Sequence, residues 1–198
     1  MSNSSKQVFA KGQLIIISGP SGVGKSTICD QLVKRLDNVY LSVSATTRSQ
    51  KNGEENGRDY WFIARDEFEK QIKAGNFLEH AQVFGNLYGT PKDKVLQALD
   101  KGKTAILEID VQGAQQVKSL YPEAKLIFIL PPKQTELEKR ISDRGRDDET
   151  DIGKRLDGAG IEIAAAWQHY KYMVINDDLE QAVQEVIDII KKPVGEKE

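Results

Sequence analysis

Gly19-Pro20-Ser21-Gly22-Val23-Gly24-Lys25-Ser26 fits the phosphate-loop pattern G-x-x-x-x-G-K-[ST] at every fixed position. Its glycines let the backbone curl so that successive N–H groups face one polyphosphate, and a helix beginning there adds partial positive charge. Lys25 would reach the terminal phosphates, and Ser26 would offer a hydroxyl to Mg²⁺. The stretch from Gly19 to Thr27 is therefore the candidate ATP site: Gly19, Pro20, Ser21, Gly22, Val23, Gly24, Lys25, Ser26 and Thr27. The chemistry implied is binding of a nucleoside triphosphate with magnesium. The motif alone leaves open where the phosphate goes.

The setting of the loop points to its scaffold. Leu14 to Ser18 before it is an apolar run suited to a buried strand, and Ser26 to Leu36 after it reads as a helix. Further strands are expected at Val39–Ser44, Ala105–Asp110, Leu126–Leu130 and Tyr172–Asn176. Further helices are expected at Lys92–Lys101, Val111–Leu120, Gln134–Asp143, Asp151–His169 and Leu179–Lys192. The strands are apolar on consecutive positions, as in sheets covered on both faces. Strand–helix alternation predicts an α/β fold, a doubly wound, mainly parallel sheet. Thr90-Pro91-Lys92-Asp93 reads as a helix start, with Thr90 as the cap.

Two segments depart from this rhythm. Residues 46–90 carry short, polar and aromatic strand candidates, with a tight hairpin at Phe84-Gly85-Asn86-Leu87, and read as a small, mainly β insertion. Residues 143–156 are dense in charge and read as a short helical lid. The rest, 1–45, 91–142 and 157–198, forms one core unit. An arginine-bearing flap over a phosphate loop suits phosphoryl transfer, which needs charge screened and water excluded.

With 198 residues, the chain has the length of one domain and can bury a sizeable core. Its formal net charge of −2 gives no support for a nucleic-acid partner. No apolar run approaches a membrane span, and the polar N-terminus lacks a signal-peptide stretch. Cys29 is the one cysteine, so no internal disulfide is expected, and a cytoplasmic location is. Cys29 reads as a small packing residue rather than a reactive thiol. His80 and His169 lie far apart without cysteine companions and do not suggest a zinc site.

The insertion supplies a second pattern. Ser42-Val43-Ser44-Ala45-Thr46-Thr47-Arg48 is followed by Gly53-Glu54-Glu55-Asn56-Gly57-Arg58-Asp59-Tyr60-Trp61-Phe62. Then come Phe77-Leu78-Glu79, Asn86-Leu87-Tyr88-Gly89-Thr90-Pro91 and Ile106-Leu107-Glu108-Ile109-Asp110-Val111-Gln112-Gly113. In order and spacing these segments resemble the guanylate kinase family, whose members phosphorylate GMP from ATP, and the resemblance covers nearly the whole chain.

The resemblance implies a site residue by residue. Glu79 would accept the two adjacent N–H donors of guanine's base-pairing edge, a pair adenine cannot offer. Ser44 and Thr90 would supply hydroxyls to the base edge. Arg48, a planar fork suited to phosphate oxygens, would bind the GMP phosphate with the phenols of Tyr60 and Tyr88. The family's usual second arginine, three residues after the first, is here Lys51 in Ser49-Gln50-Lys51. That keeps the charge but not the two-pronged geometry, so looser phosphate binding is expected there. Asp110, at the end of a strand beside the phosphate loop, could hold magnesium through water or orient the acceptor. Glu108, two residues earlier, could share that work. Arg140, Arg144 and Arg155 match the family's lid arginines, and Asn176 lies where the family places adenine.

The mechanism expected is in-line transfer between ATP·Mg²⁺ on the loop and GMP in the insertion. Lys25, Arg48 and the lid arginines would be the catalytic groups, with GMP, and dGMP as a further candidate, the acceptor. No general base is required, because the acceptor phosphate is already anionic. Two other readings are weighed against this one: a P-loop kinase for another small phosphorylated acceptor, and an inactive guanylate-kinase-like module that docks partner peptides. An intact phosphate loop on a single-domain chain argues against the second, and Ser44, Glu79 and Thr90 together argue against the first. Oligomeric state is not readable from the chain.

Overall fold

The computed structural model describes residues 12–142 and 149–193. Five strands form one all-parallel sheet in the order β2-β7-β1-β8-β9. They are β1 (Gln13–Ser18), β2 (Val39–Leu41), β7 (Thr104–Glu108), β8 (Lys125–Leu130) and β9 (Tyr172–Ile175). The period-2 alternation of β1 divides its isoleucines between two cores. Ile15 and Ile17 pack with Ile28 and Leu32 of α1 (Lys25–Arg35) and with Val183, Val186 and Ile190 of α7 (Leu179–Lys191). Leu14 and Ile16 face the other way. They pack with Val95 and Leu99 of α3 (Lys92–Asp100) and Ala114 and Val117 of α4 (Val111–Leu120). Ala166 of α6 (Glu149–His169) belongs to the same layer. The central strand is thus covered on both faces, which is why it reads as an unbroken apolar run.

Residues 45–91 hold a second sheet of four strands in the order β4-β3-β6-β5. These are β3 (Ala45–Thr46), β4 (Trp61–Phe62), β5 (Phe77–Val83) and β6 (Asn86–Pro91). The β5–β6 hairpin closes at Phe84 and Gly85, both at positive φ (47° and 80°), as a two-residue primed turn demands. The insertion also contains α2 (Arg65–Lys73), which the sequence reading did not anticipate. Phe68 of this helix is fully buried and stacks on Phe77, with ring centroids 4.5 Å apart, giving the insertion its own small core with Ala45 and Leu87.

Three expected boundaries move. The strand expected over Val39–Ser44 stops at Leu41, and the chain re-enters a different sheet at Ala45. The strand expected to end at Asp110 stops at Glu108, and Asp110 instead caps α4. Pro91, not Thr90, stands at the cap of α3, with no side-chain cap bond. Thr90 lies in β6 with its hydroxyl turned to Glu79. The expected helix over Gln134–Asp143 is α5 (Gln134–Ser142). Of the expected lid, residues 143–148, including Arg144, lie outside the described residues, and α6 begins at Glu149.

Gln116 of α4 joins insertion to core. Its Nε2 donates to the His80 carbonyl at 2.8 Å, and the His80 N–H donates back to its Oε1 at 3.3 Å. The helix amide thereby takes up a backbone edge of β5 that would otherwise lack a partner.

Candidate active site

The phosphate loop leaves β1 at Gly19 and enters α1 at Lys25. Gly22 and Gly24 have φ of 87° and 101°, values at which a side chain would be strained. At Gly24 a Cβ would also lie 2.5 Å from Asn176 Nδ2. Asn176 is buried, and that nitrogen donates to the Val23 carbonyl at 2.7 Å. It therefore braces the loop from below, a role more specific than the end-of-strand position suggested. Lys25 Nζ donates to the carbonyls of Gly19 (2.5 Å) and Pro20 (3.1 Å), holding the ammonium over the rim of the loop.

Ser26 is exposed and donates its hydroxyl to Glu108 Oε1 at 2.8 Å. Glu108 and Asp110, equivalent in sequence, are thereby separated in space. Asp110 Oδ1 accepts from the Gly113 N–H at 2.9 Å and Oδ2 from Gln112 at 3.2 Å. The exposed hydroxyl and the carboxylates near it are hard oxygen donors, the chemistry that suits Mg²⁺, which takes few protein ligands and keeps its waters. Burial pushes the Cys29 thiol well up, so the cysteine one turn along is inert packing.

On the insertion side, Glu79 of β5 is 4% exposed and accepts from the Thr90 hydroxyl at 2.6 Å. Burial pushes its carboxyl up to about 7. The Thr90 hydrogen bond opposes that shift, and the Asp110 charge adds to it. Its other oxygen, Oε2, lies against Gly113, where any Cβ would collide with it. A side chain at Gly113 would therefore displace the Glu79 carboxylate, a consequence that the motif alone did not disclose. Ser44, half-buried between the two sheets, holds the insertion through its carbonyl, which accepts from Trp61 N–H at 2.9 Å.

Arg48 lies two residues beyond β3 in the insertion. Its guanidinium lies 5.3 Å from the centroid of the Tyr60 ring and 5.6 Å from that of Phe62. Tyr60 in turn packs edge-on against Tyr88 at 5.9 Å. Burial pushes the Tyr60 phenol up, so it stays a neutral donor. The structure therefore brings Arg48, Tyr60 and Tyr88 together, as expected, with Lys51 on the turn beside them. Arg140 and Arg155 fall in α5 and α6, with side chains outside the described ones.

One residue was missed. Glu162 of α6 lies on the inward stripe with Ala159, Ile163 and Ala166 and faces Lys25 and Asp110. Burial pushes its carboxyl up to about 7, Lys25 opposing and Asp110 adding. The signal was present: an acid at i+3 on a helix's apolar stripe is out of place unless something polar lies opposite.

These parts form one connected run. Ser26 bonds Glu108, Asp110 follows two residues later, and Asp110 and Gly113 adjoin the Glu79 carboxylate. A triphosphate-binding loop and a buried carboxylate pocket therefore share the segment from Glu108 to Gly113.

Comparison with known proteins agrees with this arrangement. The family model described as guanylate kinase matches residues 11–193. A guanylate kinase of Carboxydothermus hydrogenoformans is 51% identical over 177 residues, 89% of this chain and 86% of that protein. One of Clostridium tetani is 50% identical over 180 residues, 91% of this chain and 86% of that protein. A crystal structure of guanylate kinase from Anaplasma phagocytophilum superposes with a TM-score of 0.79 at 34% identity, covering 94% of this chain and 88% of that one. With its phosphate loop, its carboxylate pocket and matches of this extent, the chain belongs to the guanylate kinase family.

Proposed function

We propose that the chain transfers the terminal phosphoryl group of ATP to GMP, giving ADP and GDP. ATP lies on the loop from Gly19 to Thr27, and GMP lies in the insertion. The activity is that of the family to which the chain belongs. The allocation of roles is carried by one observation: the segment Glu108 to Gly113 touches the Ser26 hydroxyl at one end and adjoins the Glu79 carboxylate at the other.

In this reading Glu79 accepts the guanine N1–H and amino N–H, with Thr90 and Ser44 completing the base edge. Arg48, Tyr60, Tyr88 and Lys51 hold the acceptor phosphate. Asp110 and Glu108 orient the two nucleotides across the shared segment. Lys25 leaves the loop rim for the terminal phosphates, and Asn176 keeps the loop in shape. Arg140, Arg144 and Arg155 are assigned to the transferring phosphate as lid groups. Transfer needs no proton abstraction, because the attacking phosphate oxygen is already anionic. Positioning and charge neutralisation carry the rate. Mg²⁺ would be held by Ser26 and, through water, by Asp110, and it neutralises charge on the ATP phosphates.

Among the described residues no helix is long and apolar enough to cross a membrane. Cys29 is buried as a free thiol, in keeping with our placement of the protein in the reducing cytoplasm. The test of the reaction is product stoichiometry. ATP, GMP and Mg²⁺ are incubated with the protein and the nucleotides separated by ion exchange. Equal ADP and GDP are expected. ADP without GDP would mean hydrolysis rather than transfer to the acceptor.

A further inference from the structure

Arg48, the fork assigned to the acceptor phosphate, does not stand alone. Glu54 Oε1 accepts from its Nη2 at 2.8 Å, and Oε2 accepts from its Nη1 at 3.1 Å. The second Nη1 hydrogen goes to the Ser49 carbonyl at 2.7 Å. Both charged side chains are largely covered, 18% and 15% exposed, so this is a shielded, two-pronged ion pair rather than a surface one. Glu54 Oε2 also accepts the Lys51 backbone N–H at 2.8 Å, and the Glu54 N–H donates back to the Lys51 carbonyl at 3.2 Å. One carboxylate thus fixes the fork and closes the turn that presents Lys51.

We propose that Glu54 is a positioning residue for the acceptor phosphate, retained when the nucleotide binds, and that it selects the edge of Arg48 on which the phosphate lands. A guanidinium has five N–H donors. Glu54 and Ser49 take both hydrogens of Nη1 and one of Nη2. Beyond these the other edge remains, Nε–H with the second Nη2–H, a two-donor fork that the Tyr88 phenol shares. The Tyr88 phenol lies within hydrogen-bonding reach of Arg48, and the Tyr60 and Phe62 rings lie against the guanidinium. A group held on one edge and packed against two rings presents its remaining edge in one direction. Burial works against charge at Glu54, yet the Arg48 and Lys51 hydrogen bonds hold its carboxyl below the usual range, so it stays an anion.

The competing possibility is that Glu54 merely occupies the fork and leaves when a phosphate arrives. The two make opposite predictions for its removal. The proposal rests on the reading of Arg48 given above, and the test separates the two by comparing GMP with guanosine, which lacks the phosphate. Affinities of both are measured by calorimetry for the unaltered protein and for Glu54→Gln, with melting temperature as a fold control. The expected result is at least tenfold weaker GMP binding, unchanged guanosine binding, and an ATP KM within twofold of the original. Tighter or unchanged GMP binding would overturn the proposal in favour of a displaced occupant. Equal losses for GMP and guanosine would overturn it in favour of general damage to the insertion. Should Glu54→Gln not fold, Glu54→Asp carries the same comparison with the same expected sign. If the unaltered protein binds GMP no better than guanosine, the assignment of Arg48 falls, and the proposal with it.

Discussion

Lys25→Ala is expected to lower turnover by at least about a hundredfold, on the scale of losing one preorganised electrostatic group. The ammonium sits on the Gly19 and Pro20 carbonyls at the lip of the loop, so a change of side-chain rotamers suffices to bring it to a bound polyphosphate. Charge migrates to the bridging oxygen as the terminal phosphoryl leaves, and a cation there stabilises the transition state more than the ground state. The loss should therefore fall mainly on kcat, with a smaller change in the KM for ATP. The loop itself should survive, because its shape is held by glycine conformations and by Asn176 bonded to the Val23 carbonyl. Steady-state kinetics with a melting curve check both points. A folded Lys25→Ala protein of near-normal rate would contradict the mechanism.

Glu79→Ala is expected to raise the KM for GMP by roughly ten- to a hundredfold, from ~1.5–3 kcal/mol for a hydrogen bond to a charged group. The KM for ATP should barely move. The same carboxylate predicts a pH dependence. Burial raises it to about 7, well above the usual carboxylate range, and only its anion can accept both guanine donors. In the unaltered protein kcat/KM for GMP should therefore fall about tenfold per pH unit below about 7. That limb should be missing in Glu79→Ala. The sign for folding is the opposite. The native state holds the proton more tightly than the unfolded chain, so this residue's stabilising contribution is complete below pH 4.5 and is lost as pH rises through about 7. Equal effects of the substitution on both substrates would refute the base-reading role.

The ATP half of the site was legible because its physics is local. A phosphate loop needs glycines at positive φ, a lysine and a hydroxyl in fixed succession, and an apolar strand before them, and all occur within Leu14 to Thr27. The insertion was less legible. Strands β3 and β4 have two residues each, too short for any period to show, and α2 carries a single fully buried side chain, Phe68. Glu79 by itself is an ordinary carboxylate. The resemblance marked it, and burial beside Thr90 and Gly113 explains it. The positions of Glu108 and Asp110 could not be told apart, because what divides them is the end of β7 two residues earlier than expected. That break turns Asp110 into a helix cap while Glu108 still reaches Ser26. Glu162 showed only as an acid on an apolar helix stripe, and the fold alone sets Lys25 and Asp110 opposite it. Glu54 needed the turn that folds it back onto Arg48 and Lys51.

The most direct test of the account offers GMP, AMP, UMP and dTMP separately to the unaltered protein with ATP and Mg²⁺, and follows ADP release. A buried carboxylate that accepts two adjacent donors predicts rapid release with GMP and little with the other three, since a wrong base cannot offer the buried Glu79 carboxylate both donors. Comparable rates with AMP or a pyrimidine monophosphate would keep the phosphate loop's role and contradict the pocket assigned to Glu79.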